Sequence, residues 1–157
     1  MRARAVLQRY LDALVAGDLP AIADSFAEDA TWWLHGDLPM SGTKRGRDEI
    51  IEFLLSAGVL YVPGTQSFEF GSITVEDERA VLEWTVRGTS AATGEQYDNS
   101  YCDVFVIRDG RIVAVREYLD SLHVATVLFG LSQGLTRPPH ACRSGARLIR
   151  YAGFPGS

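Results

Sequence analysis

Asp109-Gly110 stands between two stretches of alternating polarity, Tyr97 to Ile107 and Arg111 to Leu119. This dipeptide accepts the left-handed backbone of a two-residue hairpin turn, so the two stretches pair as antiparallel strands. The alternation continues upstream. Ala80, Leu82, Trp84 and Val86 interleave with Val81, Glu83, Thr85 and Arg87, and a further strand from Gln66 to Glu76 turns back at Glu76-Asp77-Glu78. Such a meander has one apolar face, and something must cover it. The cover is read from the first third of the chain. Val6, Leu7, Tyr10, Leu11 and Leu14 recur at helical spacing up to Gly17, and Asp18-Leu19-Pro20 opens a short second helix with Ile22 and Phe26 on one side. That helix is expected to end before Glu28-Asp29. Ala30 to His35 then reads as a strand, Gly36 to Arg45 as a loop, Arg47 to Tyr61 as a third helix, and Ser121 to Leu131 as a last one. The fold class is α+β, with N-terminal helices packed on a strongly curved antiparallel sheet that encloses a pocket.

Length and composition narrow the function. A chain of 157 residues suits one domain, and no apolar run approaches the roughly 20 residues of a membrane span. The opening Met1-Arg2-Ala3-Arg4 leads into a polar-interrupted segment without a signal core, which gives the expectation of a cytoplasmic protein. Cys102 and Cys142 are too few for a disulfide framework or a cysteine-based zinc site. Residues 1–120 hold 11 basic against 20 acidic groups, whereas residues 121–157 hold four arginines and no acid. An acidic body repels phosphates, and four arginines are too sparse for a nucleic-acid segment. The expected division is a domain at residues 1–134 and a poorly ordered basic tail at residues 135–157.

Chemistry is sought in side chains that point into the pocket. On the strand from Tyr97 to Ile107, Tyr97, Asn99, Tyr101, Asp103 and Phe105 share one face, and their aromatic members favour that face for the interior. Asp103 is then an acid in apolar surroundings, which holds a carboxyl protonated; the alternative is an exposed or paired edge residue. Glu117 shares a face with Val113, Val115 and Leu119. It reads either as a general base or as a surface partner of Arg116, Arg87 or Arg111. Trp32, Phe53, Trp84, Tyr101 and Phe105 are candidate walls of a cavity for an apolar ligand, with Asn99 as a polar contact, though each also suits a plain core. His35 is a candidate for the pocket mouth, but alternation sets it opposite Leu34, so it points away unless a bulge near Gly36 turns it. Three scattered histidines carry no metal-ligand spacing, and the glycine-rich places lack a phosphate-cradling pattern, so neither a metal nor another cofactor is expected.

The segments QRY-x-x-AL-x-AGDL, FA-x-DAT and SGT, with YCDVFVIRDGRIVAVREYLD near the end, resemble bacterial ketosteroid isomerases and the wider SnoaL-like branch of the NTF2-like superfamily over about residues 3–130. The resemblance implies the NTF2-like cone and a homodimer formed through the sheet face. It sets Tyr10 and Asp103 at the positions of the isomerase oxyanion hole. At the position of the isomerase base it sets Leu34, which moves no proton. Limonene epoxide hydrolases resemble the chain at Glu117 but need an Arg-x-Asp pair where Trp84-Thr85-Val86 stands. The resulting expectation is a cofactor-free acid–base enzyme, isomerase- or polyketide-cyclase-like, acting on a small hydrophobic carbonyl compound through Tyr10, Asp103 and Glu117. The alternative is a protein of the same fold that binds a small molecule without turnover.

Overall fold

The computed structural model describes residues 2–131, so the expected tail at residues 135–157 lies outside the described residues. Helix α1 (Ala3–Ala16) buries Val6, Leu7, Tyr10 and Leu11 and ends at Gly17. The Asp18 carboxylate accepts from the Ala21 N–H at 3.0 Å and starts α2 (Leu19–Asp24), with Pro20 in the first turn. Strand β1 (Phe26–Leu34) follows, then β2 (Gly42–Arg45), α3 (Arg47–Gly58), β3 (Ser67–Glu76), β4 (Arg79–Thr89), β5 (Gln96–Arg108) and β6 (Arg111–Leu119). A last turn of helix, α4 (Ser121–His123), runs into one π-helical turn at Val124–Leu128.

The six strands form one sheet in the order β2-β1-β6-β5-β4-β3. At the turn predicted from sequence, Asp109 and Gly110 have φ of 50° and 74°, and β5 and β6 pair from Arg108↔Arg111 to Tyr101↔Leu119. Register shifts interrupt β1, β3 and the β5–β6 pair. Each adds bend and twist, which curls the sheet round the helices. Val6, Leu7, Phe26, Phe105, Ile112 and Val115 are fully buried between the two layers.

Four features depart from the sequence expectation. The sheet is antiparallel except at one seam, where β1 runs parallel to β6 with Trp32 beside Val115 and Leu34 beside Glu117. Strand β1 begins at Phe26, because Ser25 ends α2 by donating its hydroxyl to the Ala21 carbonyl at 2.9 Å and its own carbonyl accepts from Ile112 N–H at 2.8 Å. The segment read as a loop contains β2, which pairs Thr31↔Arg45 through Leu34↔Gly42. Helix α3 stops at Gly58, which frees Tyr61 to bridge to Ser90 instead. Gly88 makes room for that tyrosine: a Cβ there would stand 2.6 Å from the Tyr61 ring.

Candidate active site

Between the helices and the inner sheet face lies a cavity of about 120 Å³. Its walls are mainly apolar, with Trp32, Phe53 and Trp84 among them, and its polar members are Tyr10, Tyr61, Gln66, Tyr101 and Glu117. Tyr10, Tyr101 and Glu117 are delivered by three different elements, and Tyr61 and Gln66 by the connection between α3 and β3. Tyr10 comes from the buried stripe of α1, where its ring packs edge-on against Phe26 at 5.4 Å between centroids. Glu117 comes from the inner face of β6, and Tyr101 from β5 two residues before Asp103.

Glu117 is only 5% exposed, and its Oε2 accepts a hydrogen bond from the Trp32 indole N–H at 2.6 Å. Burial pushes its carboxyl up to about 7, against the opposing pull of that indole and of the Lys44 ammonium. Lys44 stands on β2 opposite Trp32, with its ammonium 4.3 Å from the centre of the Phe53 ring. Asp103 is Glu117's direct partner across β5 and β6. Its Oδ2 accepts from the Trp84 indole N–H at 3.1 Å, while Oδ1 is buried without a hydrogen-bond partner. Burial first, and the charge of Glu117 second, hold the Asp103 carboxyl well above its ordinary range. Two carboxylates this close do not both ionise. Asp103 therefore stays protonated while Glu117 changes state near neutral pH. Burial, and then Asp103 and Glu117, also raise the Tyr10 hydroxyl, which remains a hydrogen-bond donor throughout.

The sequence-predicted residues divide into two groups. Tyr10, Glu117, Trp32, Phe53, Trp84 and Tyr101 line the cavity together. Asp103, Leu34, His35, Asn99 and Phe105 are not among the lining residues. Asp103 sits behind the Trp84 indole to which it is bonded. Phe105 backs Tyr10, with ring centroids 6.0 Å apart. Leu34 is fully buried in the seam of β1, β2 and β6. Asn99 is buried and spends its amide on the Tyr97 hydroxyl and the Asp120 carbonyl, at 2.9 and 3.1 Å. His35 belongs to the opposite side of the sheet: its Nε2 meets the Leu119 carbonyl at 3.2 Å, and its ring lies near Trp33 and Tyr118. No bulge turns it inward. Val113 also leaves the face of Glu117, because the register shift between Val106 and Ile107 sets Ile112 inward in its place.

Three features escaped the sequence reading. The indole bonds to Glu117 and Asp103 depend on pairings between distant strands. The Lys44 ammonium pulls on Glu117 from a position set by the pairing of β2 with β1. Tyr61, Gln66 and Tyr97 form a polar group with Tyr101, of which only the inward alternation of Tyr97 was a visible signal.

Among the described residues no helix is long and apolar enough to cross a membrane. The protein-family model described as SnoaL-like domain matches residues 7–115. No curated protein matches the chain. Among solved structures it is similar to an NTF2-like protein of unknown function from Burkholderia pseudomallei, with 21% identity, a TM-score of 0.73 and coverage of 82% of this chain and 98% of that one. TerC, co-crystallised with polyporic acid, is 18% identical with a TM-score of 0.71, over 81% of this chain and 98% of that one. A candidate isomerase from Bacillus subtilis is 24% identical with a TM-score of 0.67, over 83% and 94%. The likenesses give an NTF2-like fold, and the match across residues 7–115 makes the chain a member of the SnoaL-like domain family.

Proposed function

We propose that this chain is an acid–base enzyme, isomerase- or cyclase-like, that acts on a small hydrophobic carbonyl compound held in the cavity. The observation that carries the reading is Glu117, a buried carboxyl on the cavity wall that titrates at about 7. A base serves best when its pKa lies near the working pH. The likeness of fold to a candidate isomerase and to a protein co-crystallised with a small molecule supports a role of this class.

In this mechanism the carbonyl oxygen accepts a hydrogen bond from the Tyr10 hydroxyl. Ionised Glu117 takes a proton from the adjacent carbon; the C–H electron pair becomes the new C=C bond, and the C=O π pair moves onto the oxygen. Tyr10 stabilises the charge that develops there. Glu117 then returns the proton to the same or another carbon. Protonated Asp103 acts as a positioning residue: it keeps a second negative charge away from Glu117 and anchors the Trp84 wall through its indole. This replaces the direct oxyanion contact expected of it.

The apolar lining and the buried Leu34 at the expected base position favour a second reading, in which the same cavity binds a small molecule without turnover. Incubating the protein with 1,4-cyclohexanedione in deuterated water, followed by NMR, separates the two. Catalysed exchange at the carbons next to the carbonyls, lost in Glu117→Gln, supports the enzyme. Binding with no exchange above background supports the binder. Two copies joining through the outer sheet face, where Trp33 and Tyr118 are half-buried beside Arg116, complete the proposal. Sedimentation of a Trp33→Glu variant as a monomer, with the parent a dimer, is the expected outcome.

A further inference from the structure

The cavity has a second polar end that the proton transfer does not use. Tyr97 and Tyr101 stand four residues apart on the inner face of β5, with their hydroxyl oxygens 2.7 Å apart. The Asn99 amide donates to the Tyr97 oxygen at 2.9 Å and to the Asp120 carbonyl at 3.1 Å, so the deep end of this chain is fixed by a group that only donates. Were Tyr101 also to donate to Tyr97, the Tyr97 hydrogen would be buried with no acceptor, an arrangement that folded proteins avoid. Tyr97 therefore donates to Tyr101, Tyr101 is hydrogen-bonded in turn to Tyr61, and Tyr61 to Gln66, so this chain of polar groups ends on the cavity wall. Tyr101, unlike Tyr97, lines the cavity, and so do its polar neighbours Tyr61 and Gln66.

The position of this end is set by strand register. Tyr101 pairs with Leu119, and Asp103 with Glu117, so Tyr101 and Glu117 are diagonal neighbours on one face. Such neighbours lie about 7–8 Å apart along the backbone. The cavity of about 120 Å³ between them is close to the roughly 150 Å³ of an engineered protein cavity that takes up one benzene ring.

We propose that the Tyr101–Tyr61 end is a second binding subsite, and that the ligand is a single-ring compound carrying two oxygen functions on opposite sides of the ring. One oxygen meets Tyr10 beside Glu117. The other accepts a hydrogen bond from this chain where it reaches the cavity, at Tyr101 and Tyr61. The inference rests on the cavity of the proposed function but not on turnover within it.

The test compares 1,4-cyclohexanedione with 4-methylcyclohexanone, in which a methyl group replaces one oxygen. The dione is symmetric, so either end suits either subsite. Affinities are read from quenching of tryptophan fluorescence, since Trp32 and Trp84 both wall the cavity. The parent is expected to bind the dione about tenfold more tightly, as one hydrogen bond satisfied in a buried site provides. Tyr101→Phe and Tyr61→Phe should each reduce that preference, and the double variant should abolish it. Equal affinity of the two ketones for the parent, or equal weakening of both in a folded Tyr101→Phe protein, overturns the second subsite alone. Failure of both ketones to bind overturns the cavity reading and the subsite with it. A dione preference in a parent that shows no deuterium exchange keeps the subsite and removes the enzyme.

Discussion

Asp103 and Glu117 face each other directly across β5 and β6, both buried and each holding one indole N–H. An apolar interior normally excludes such a pair unless one member is neutral. Their opposition explains why one acid stays protonated while its neighbour titrates near neutrality, and it makes a prediction about stability.

Burial pushes the Glu117 carboxyl up to about 7 in the folded chain, from an ordinary value of 4.5. The folded state thus holds a proton that the unfolded state has released between those pH values, so stability falls as pH rises through that window. The size is on the order of 3 kcal/mol. Asp103 shifts in the same direction and extends the decline to higher pH. Urea midpoints should drop from pH 5 to pH 8 in the parent, and less in Glu117→Gln. A flat profile in the parent contradicts the buried pair.

Trp32→Phe removes the indole donor to Glu117 while keeping an aromatic wall. A hydrogen bond to a charged group contributes about 1.5–3 kcal/mol, so the Glu117 midpoint should move up by roughly one unit or more. Lys44→Met should move it in the same direction, since the ammonium also favours the ionised form. Carbon NMR of the Glu117 carboxyl measures both. An unchanged midpoint in Trp32→Phe removes the bond from the account.

Much of this arrangement was legible in the chain, and the reason for the remainder is physical. Alternation along Tyr97–Ile107 placed Asp103, Tyr101 and Phe105 on the inner face, because a strand's period fixes its faces locally. The Asp109-Gly110 turn sets the strand of Glu117 beside the strand of Asp103. Neither signal reaches across the sheet. The parallel seam of β1 with β6 brings Trp32 to Glu117 over 85 positions of sequence, and nothing local marks it. For the same reason alternation could show that Asp103 and Asn99 point inward without showing that other side chains stand between them and the cavity. His35 was correctly set opposite Leu34 by alternation; including it in the pocket required a bulge that β1 does not make at Gly36.

His35→Gln should then leave ketone binding within twofold of the parent, with a modest loss of stability from its contacts with Leu119, Trp33 and Tyr118. Fluorescence titration with 4-methylcyclohexanone checks the binding. A tenfold loss returns His35 to the site.

Gly88→Ala should destabilise the fold by about 1–3 kcal/mol, because the new methyl meets the Tyr61 ring at 2.6 Å where the backbone of β4 leaves it no room. Gly58→Ala offers the contrast. Its Cβ meets nothing within 4 Å, and the lost flexibility of the unfolded chain should stabilise the fold by about 0.4–1 kcal/mol. Opposite shifts of the thermal midpoint are expected. No loss in Gly88→Ala contradicts the tight seat of Tyr61.

The central claim is that Glu117 moves a proton inside the cavity at neutral pH. The most direct measurement is the pH dependence of deuterium exchange into 1,4-cyclohexanedione by the parent and by Trp32→Phe. The rate is expected to rise with pH to a plateau with its midpoint near 7, displaced upward in Trp32→Phe and absent in Glu117→Gln. A midpoint at the ordinary carboxyl value near 4.5, or exchange that persists undiminished in Glu117→Gln, contradicts it.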